Sequence, residues 1–467
     1  MTKLNFNDQD YTVSKIKDRT EFKYRAFSDI SYVTKPVDPI QKLNVFVPEA
    51  YFDGDNINGY TLKTAPIFMP NTVGGYMPGP RDFPNNTAFN NSAATIIAAL
   101  QRGYVVVSAG LRGRSLVNGT GENIGKAPAL IVDMKAAIRY VKYNRANFPG
   151  DVERIITNGT SAGGALSALT GASQNNIAFE PYLTALGAAP ADDSIFAVSA
   201  YCPIHNLQHA DAAYEWQFSG INDFHRMHIK FTTAGKPDFT PWDGQLTEVE
   251  QNMSIELKQQ FIDYVNGLAL YDNAGEKVTL NEDGSGHFRK IIKNQLLRSA
   301  QQALDQGSDD DLLTYSWLKI VHERVVDFDW AQYLQFITRM KGVPAFDVLD
   351  LDSPECNEFG TEQISAKHFT QFSQTYTTVQ SELAEQSLVD LLNPIYFITA
   401  QKADIAHHWR IRHGAADRDT SFGIPTILAL SLQNRGIDVD FALPWGKSHS
   451  GDYDLPELFA WIDNLCR

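Results

Sequence analysis

The sequence predicts an α/β fold, a mostly parallel doubly wound sheet interrupted by a large, mainly helical insertion, and three observations predict it. Short apolar and β-branched runs of the buried-strand type alternate with helix-patterned stretches up to about residue 204 and again after about residue 393. One of these runs ends in Gly-Thr-Ser-Ala-Gly and passes straight into small helix-compatible residues. Between the two α/β stretches the chain turns polar, Gln-rich and helical in pattern, and buried-strand runs become scarce. The expected organisation is a first sheet part over residues 1–203, an inserted lid over 204–393 and a second sheet part over 394–467. Residues on either side of the insertion then share one sheet.

Taken in order, "FKYRAFSDISYV" and "QKLNVFVP" alternate as antiparallel strands do, one face apolar and one polar. "APIFMP" and "YVVVSAG" are apolar throughout, the signature of strands covered on both faces. "ALIVDMKAAIRYVKYN" places apolar residues at three- and four-residue spacing and predicts a helix. "RIITNG" followed by "TSAGGALSAL" reads as strand, sharp turn and helix, and "IFAVSAYCPI" as the next buried strand. In the insertion, "EVEQNMSIELKQQFIDYV", "FRKIIKNQLLRSAQQAL" and "DWAQYLQFITRM" read as helices joined by turn-rich connectors such as "NEDGSGH". The α/β pattern resumes with a strand in "HHWRIRHG", a helix around "TSFGIPTILALSLQNRG", the strand "VDFALPW" and a closing helix, "LPELFAWIDNLC".

Composition narrows the class. The 467 residues are 43% hydrophobic, enough for a large core, and a formal net charge of -15 disfavours nucleic acid or an anionic membrane surface as partner. The polar start "MTKLNFNDQDY" has no apolar leader segment, and no apolar run is long enough to span a bilayer. Cys202, Cys356 and Cys466 are odd in number, far apart and without metal-type spacing. A cytoplasmic, monomeric protein that contacts neither nucleic acid nor membrane is expected.

The chemistry is carried by "NGTSAGG". Gly-x-Ser-x-Gly between a strand and a helix is the context of a nucleophile elbow, in which the glycines allow close backbone approach and Ser161 is held in a strained turn with its hydroxyl presented. The pattern alone occurs by chance, so partners must be found in the chain order Ser, acid, His, each on a loop after a strand. "WRIRHGAADRD" presents Asp417 and Asp419 after one strand, and "DFALPWGKSHSGDYD" presents His449 after the next. Position favours Asp417 as the acid, while Asp419 could cap the following helix. A serine hydroxyl becomes nucleophilic when an imidazole removes its proton, and a carboxylate fixes the imidazole's tautomer. The expected oxyanion donors are the N–H groups of Ala162 and of Gly75, in the loop "NTVGGY". His205, His209, His225 and His228 have spacings seen in helical metal ligands, but no Glu or Cys set completes a metal motif, so no metal is expected.

Across "LNVFVP", "MPNTVGGYMPGP", "VDMKAAIRYVKYN", "RIITNGTSAGG", "FAVSAYCPIHNL", "AYEWQF", "RMKGVPAFDVLDLDSPE", "HWRIRHGAADRDTSF" and "HSGDYDL", the chain resembles the bacterial tannases, tannin acyl hydrolases of α/β-hydrolase fold with a large lid. The resemblance reaches most of the chain but finds no motif between about residues 240 and 325. It implies a serine esterase acting on galloyl ester and depside bonds, with Ser161, Asp417 and His449 as triad, Gly75 and Ala162 as oxyanion hole, and no cofactor. It also implies that Asp419, Lys341 and Glu355 hold the hydroxyls of a galloyl ring whose faces lie against Ile204 and Pro354. Three adjacent phenolic donors do call for acceptors and a fixed positive charge. Without the resemblance, Lys341 and Glu355 would read as a surface ion pair worth about 0–1 kcal/mol. The competing readings are an esterase for another phenolic acid such as a feruloyl ester, a serine peptidase, and a non-catalytic binding protein on the same scaffold.

Overall fold

The computed structural model describes residues 4–16, 19–86, 93–231, 237–307, 312–400 and 403–467. Thirteen strands are assigned among them: β1 (Thr12–Ile16), β2 (Arg19–Ser31), β3 (Lys42–Pro48), β4 (Pro66–Pro70), β5 (Val105–Ala109), β6 (Asp151–Thr160), β7 (Ala197–Tyr201), β8 (Asp223–Phe231), β9 (Pro237–Gln245), β10 (Leu318–Val321), β11 (Arg324–Phe328), β12 (His408–Arg412) and β13 (Asp438–Ala442). Nine form one sheet in the order β1-β2-β3-β5-β4-β6-β7-β12-β13. The first three strands and the β3–β5 contact are antiparallel, and β5 through β13 run parallel. This matches the reading of alternating strands followed by all-apolar ones: every residue of β4, β5 and β7 is buried.

Helices cover the parallel part because a strand that re-enters beside a parallel neighbour needs a crossover. Ala93–Arg102, Ala129–Tyr143, Ala162–Ala172 and Gly423–Gln433 supply such crossovers, and Leu455–Cys466 follows the last strand. The helix Ala129–Tyr143 is buried along nearly its whole length, Asp133 and Lys135 included. Asp133 accepts from Gln41 Nε2 (2.8 Å), the Arg112 backbone N–H (2.8 Å) and the Arg112 guanidinium (2.8–3.2 Å), which ties the lead into β3 and the exit of β5 to this helix.

The chain leaves the sheet after β7 and returns at β12. The connection contains the helices Ala210–Phe218, Glu248–Gly267, His287–Gln306 and Trp330–Ile337, several shorter helices, and two antiparallel hairpins, β8–β9 and β10–β11. Helix Glu248–Gly267 begins at a capping box: Thr247 Oγ1 accepts from the Glu250 N–H, and the Glu250 carboxylate accepts from the Thr247 N–H. The hairpins were not expected from the sequence. Among the described residues, no helix is long and apolar enough to cross a membrane.

Register brings the strand ends level. Thr160, Tyr201, Arg412 and Ala442 are successive partners across β6, β7, β12 and β13, so four strands end in one row. The loops after that row open at the carboxyl edge of the parallel sheet, where ligands gather in open α/β folds.

Replacing Asp133 by Ala strands the Arg112 guanidinium in the interior, and a broken buried pair costs about 3–5 kcal/mol. Asp133→Ala is therefore expected to lower the urea midpoint of unfolding clearly. An unchanged midpoint would show that this contact does not hold the helix to the sheet.

Candidate active site

Ser161 is the residue after β6 and the cap of helix Ala162–Ala172, with φ 62° and ψ -125°. Such a conformation costs a non-glycine residue of order 1–3 kcal/mol, so the surroundings must enforce it. The Ser161 N–H donates to the Tyr201 carbonyl (3.0 Å) and the Ser161 carbonyl accepts from the Ile204 N–H (3.2 Å), both across to the neighbouring strand end. A Cβ on Gly159 would lie 2.3 Å from the Gly163 carbonyl oxygen, and one on Gly163 would lie 2.4 Å from Asn71 Oδ1. Only glycine allows strand and helix to close that tightly. Asn71 bolts the turn from the side. Its Nδ2 donates to the Asn158 and Gly163 carbonyls (3.0 Å each) and Ser167 Oγ (3.2 Å), and its Oδ1 accepts from the Val73 N–H (3.2 Å).

His449 reaches this serine from the loop after β13. Its Nε2 is 2.9 Å from Ser161 Oγ and its Nδ1 is 2.8 Å from Asp417 Oδ2. Asp417 is fully buried and its other oxygen accepts from the N–H groups of Asp419 (2.8 Å) and Thr420 (3.3 Å). The acid loop and the histidine loop are laced together through Ala415 N–H to the Pro444 carbonyl and Ala416 N–H to the Lys447 carbonyl. Asp452, just beyond the histidine, accepts from Asn158 Nδ2 and Thr95 Oγ1, which anchors that loop to β6 and a covering helix.

Burial opposes ionisation of Asp417, but the charges of His449 and His413 and the hydrogen bond from His449 hold its carboxyl down to about 2. Burial likewise opposes the charged imidazolium of His449, yet Asp417 and then Asp419 outweigh it, and its pKa stands well above the ordinary histidine value. Cys202 lies next to this pair, its thiol, His449 and Asp417 offering atoms within 4.8 Å of one another; burial pushes the thiol up.

Gly75 sits in the loop after β4 at φ 52°, with open space where a Cβ would be. Its carbonyl accepts from Arg114 Nε (2.7 Å). The next residue, Tyr76, donates its hydroxyl to the Ile204 carbonyl (2.6 Å), which links this loop to the end of β7. Ala162 is the first residue of the elbow helix, where backbone N–H groups have no intrahelical acceptor.

The remaining candidates come from the long connection and from the acid loop. Lys341 Nζ is 3.0 Å from Asp419 Oδ1 and lies 3.8 Å from the centroid of the Phe346 ring. Burial works against the Asp419 charge, but Lys341 and His449 favour it and lower its pKa. Glu355 is buried at the first turn of the short helix Pro354–Glu358; burial raises its pKa, with Lys341 acting in the opposite direction and Asp419 reinforcing the rise. The structure thus brings Lys341, Asp419 and Glu355 into electrostatic contact, with Asp419 shared between Lys341 and the His449 side. Pro354 opens the same helix, and Ile204 is buried behind the elbow. Cys356, beside Glu355, turns inward and donates to Asp347 Oδ1 (3.3 Å), which also pairs with His368 (2.6 Å).

Among the described residues, the metal-spaced histidines His205, His209 and His225 form no metal-ligand group. His205 is buried with neither ring nitrogen partnered, His209 stacks on Tyr264 at 3.5 Å, and His225 pairs with Asp243 at 2.9 Å. The side chain of His228 lies outside the described residues. Asn71 and Arg114 escaped the sequence reading; Asn71 heads the "NTVGGY" loop, and a polar side chain placed between a strand end and a glycine pair was the available signal.

Comparison with known proteins points the same way. The BD-FAE family model matches residues 77–239. A match to the esterase LipQ of Mycobacterium tuberculosis is 35% identical over 97 residues, and the chain covers only 22% of that protein's length. The crystal structure of a tannase from Lactobacillus plantarum is 56% identical, with TM-score 0.97 and all of both chains covered. A tannin acyl hydrolase in complex with ethyl gallate is 55% identical, with TM-score 0.94 and 99% of each chain covered. Identity above one half along the whole chain, on a superimposable α/β-hydrolase sheet and its long connection, means that the chain belongs to the tannases, a family of carboxylic ester hydrolases.

Proposed function

We propose that this chain hydrolyses galloyl ester and depside bonds and releases gallic acid, with Ser161 as nucleophile, His449 as acid–base and Asp417 as the carboxylate that orients it. The observation that carries the reading is the unbroken relay from Asp417 through His449 to Ser161 at 2.8 and 2.9 Å, with Asp419, on the same loop as the acid, paired to Lys341 of the long connection. Ser161 Oγ attacks the ester carbonyl as His449 Nε2 takes its proton, and the N–H groups of Ala162 and Gly75 stabilise the oxyanion. His449 then protonates the departing alcohol. Water repeats the sequence to free the acid. The ethyl gallate found in a tannin acyl hydrolase 55% identical to this chain supports the substrate class.

The ring subsite that the family resemblance implies is one that charge can account for. Asp419 and Glu355 accept from phenolic hydroxyls, Lys341 favours a developing phenolate, and Ile204 and Pro354 offer apolar faces. A ring lacking those hydroxyls leaves the buried Glu355 carboxyl without a partner, which such sites discriminate against. Residues 204–393 act in this reading as a lid that contributes Ile204, Lys341, Pro354 and Glu355 over the catalytic loops.

Ser161→Ala is expected to lower kcat on methyl gallate by about 10⁴-fold or more while gallate still binds by calorimetry. Substantial residual turnover would remove Ser161 from the mechanism.

A second expectation concerns pH. The base form of His449 is required, so kcat/KM rises as pH climbs through its elevated pKa. The titratable groups facing that imidazole are the carboxylates of Asp417 and Asp419, the Cys202 thiol, which burial holds protonated, and His413, which burial holds neutral. Asp419→Asn removes one negative neighbour, lowers the His449 pKa and moves the acid limb to lower pH, and it also erodes the preference for methyl gallate over methyl benzoate. An acid limb that stays in place would show that Asp419 does not act on His449.

A further inference from the structure

The stretch "AYEWQF" forms most of the buried helix Ala210–Phe218, and no residue of it enters the proposed chemistry. Tyr214 and Glu215 nevertheless converge on one residue of the proposed ring subsite. The Tyr214 hydroxyl accepts from the N–H groups of Met340 (2.9 Å) and Lys341 (3.1 Å) and donates to the carbonyl of Arg418 (2.9 Å), using its one donor and both acceptor positions. The carbonyl of Lys341 accepts from Arg339 Nε (2.9 Å). Arg339 is in turn held by Glu215 at 2.6 Å, and both side chains are fully buried. Consecutive residues of one helix therefore fix the N–H and the C=O of Lys341.

The third bond of Tyr214 matters most. Arg418 stands between Asp417, paired with His449, and Asp419, paired with Lys341, so a single hydroxyl joins the backbone carrying the cation to the backbone carrying its carboxylate. The Arg418 side chain closes the same junction from the outside, donating to Thr338 Oγ1 (3.0 Å) and the His225 carbonyl (2.8 Å). Packing alone does not demand the hydroxyl, since a phenylalanine would keep the tilted contact with Phe218 at 4.8 Å and the edge contact with Phe346 at 6.2 Å. Burial holds the Tyr214 phenol protonated, as its donation to Arg418 requires.

We propose that the Tyr214 hydroxyl, backed by the Arg418 side chain, is a positioning element that presets Lys341 against Asp419 and thereby sets selectivity for a hydroxylated ring. Preorganisation saves the ordering of a long lysine side chain at the moment of binding. The inference rests on the galloyl reading of the site.

The test compares wild type, Tyr214→Phe and Arg418→Ala on methyl gallate and methyl benzoate, with kcat and KM measured separately and thermal melting as a control for folding. In Tyr214→Phe, KM for methyl gallate is expected to rise about tenfold, the equivalent of about 1.4 kcal/mol, while kcat and the benzoate constants stay within about twofold. Arg418→Ala, at a half-buried position and milder, is expected to shift in the same direction by less, and it decides the matter if Tyr214→Phe does not fold. Equal changes on both esters, or gallate selectivity kept in the folded variants, overturns the proposal and leaves the galloyl reading intact. A wild type that turns over both esters alike overturns both.

Discussion

The site depends first on the backbone of Ser161, held in a left-handed turn that its own side chain disfavours. Two interstrand hydrogen bonds, the Asn71 carboxamide and the absence of Cβ atoms at Gly159 and Gly163 impose that turn. Its consequence is directional. The hydroxyl points out of the sheet edge toward His449 while the helix N-terminus behind it leaves the Ala162 N–H without an intrahelical acceptor. In the proposed mechanism, relaxing the turn would move nucleophile and oxyanion donor together.

A second economy lies in the loop after β12. Asp417 and Asp419 are two residues apart, and each serves a different partner: one pairs with His449, the other with Lys341. Asp419 nonetheless contributes to the charge felt by His449, and His449 to that felt by Asp419. In the proposed reading, ring recognition and general-base strength are thus coupled through one short segment. Buried Tyr214 ties that segment to the long connection, and Glu215 holds Arg339 behind it; in the proposed reading, the accuracy of the pocket is decided well away from the reacting atoms.

Much of this was legible in the sequence, for definite reasons. Strands buried on both faces must be apolar throughout, and "YVVVSAG" and "IFAVSAYCPI" show β5 and β7 without help from neighbours. The elbow was readable because its glycines and serine are fixed by local sterics; chain order on strand-end loops gave His449 and narrowed the acid to Asp417 or Asp419, and the family resemblance separated the two. The hairpins β8–β9 and β10–β11 were not readable. Pro241 and Gly244 interrupt β9, and β11 is largely exposed, so neither shows a clean alternation. Nor could sequence reveal Asn71 with Gly163, 92 residues apart, or Arg339 with Glu215, 124 apart. Such contacts exist only once the sheet has brought distant loops to one edge. The galloyl-binding candidates Lys341 and Glu355 belong to the same class: resemblance named them, whereas composition alone made them surface charges.

The central claim is that Ser161 forms a covalent bond with the acyl group of the substrate. Rapid quenching of the enzyme with methyl gallate at acid pH, followed by digestion and mass spectrometry, reads this directly. The account predicts a transient mass increase of one galloyl group confined to the peptide containing Ser161. Turnover without any such adduct under conditions where deacylation is slowed, or an adduct on a different residue, would contradict it.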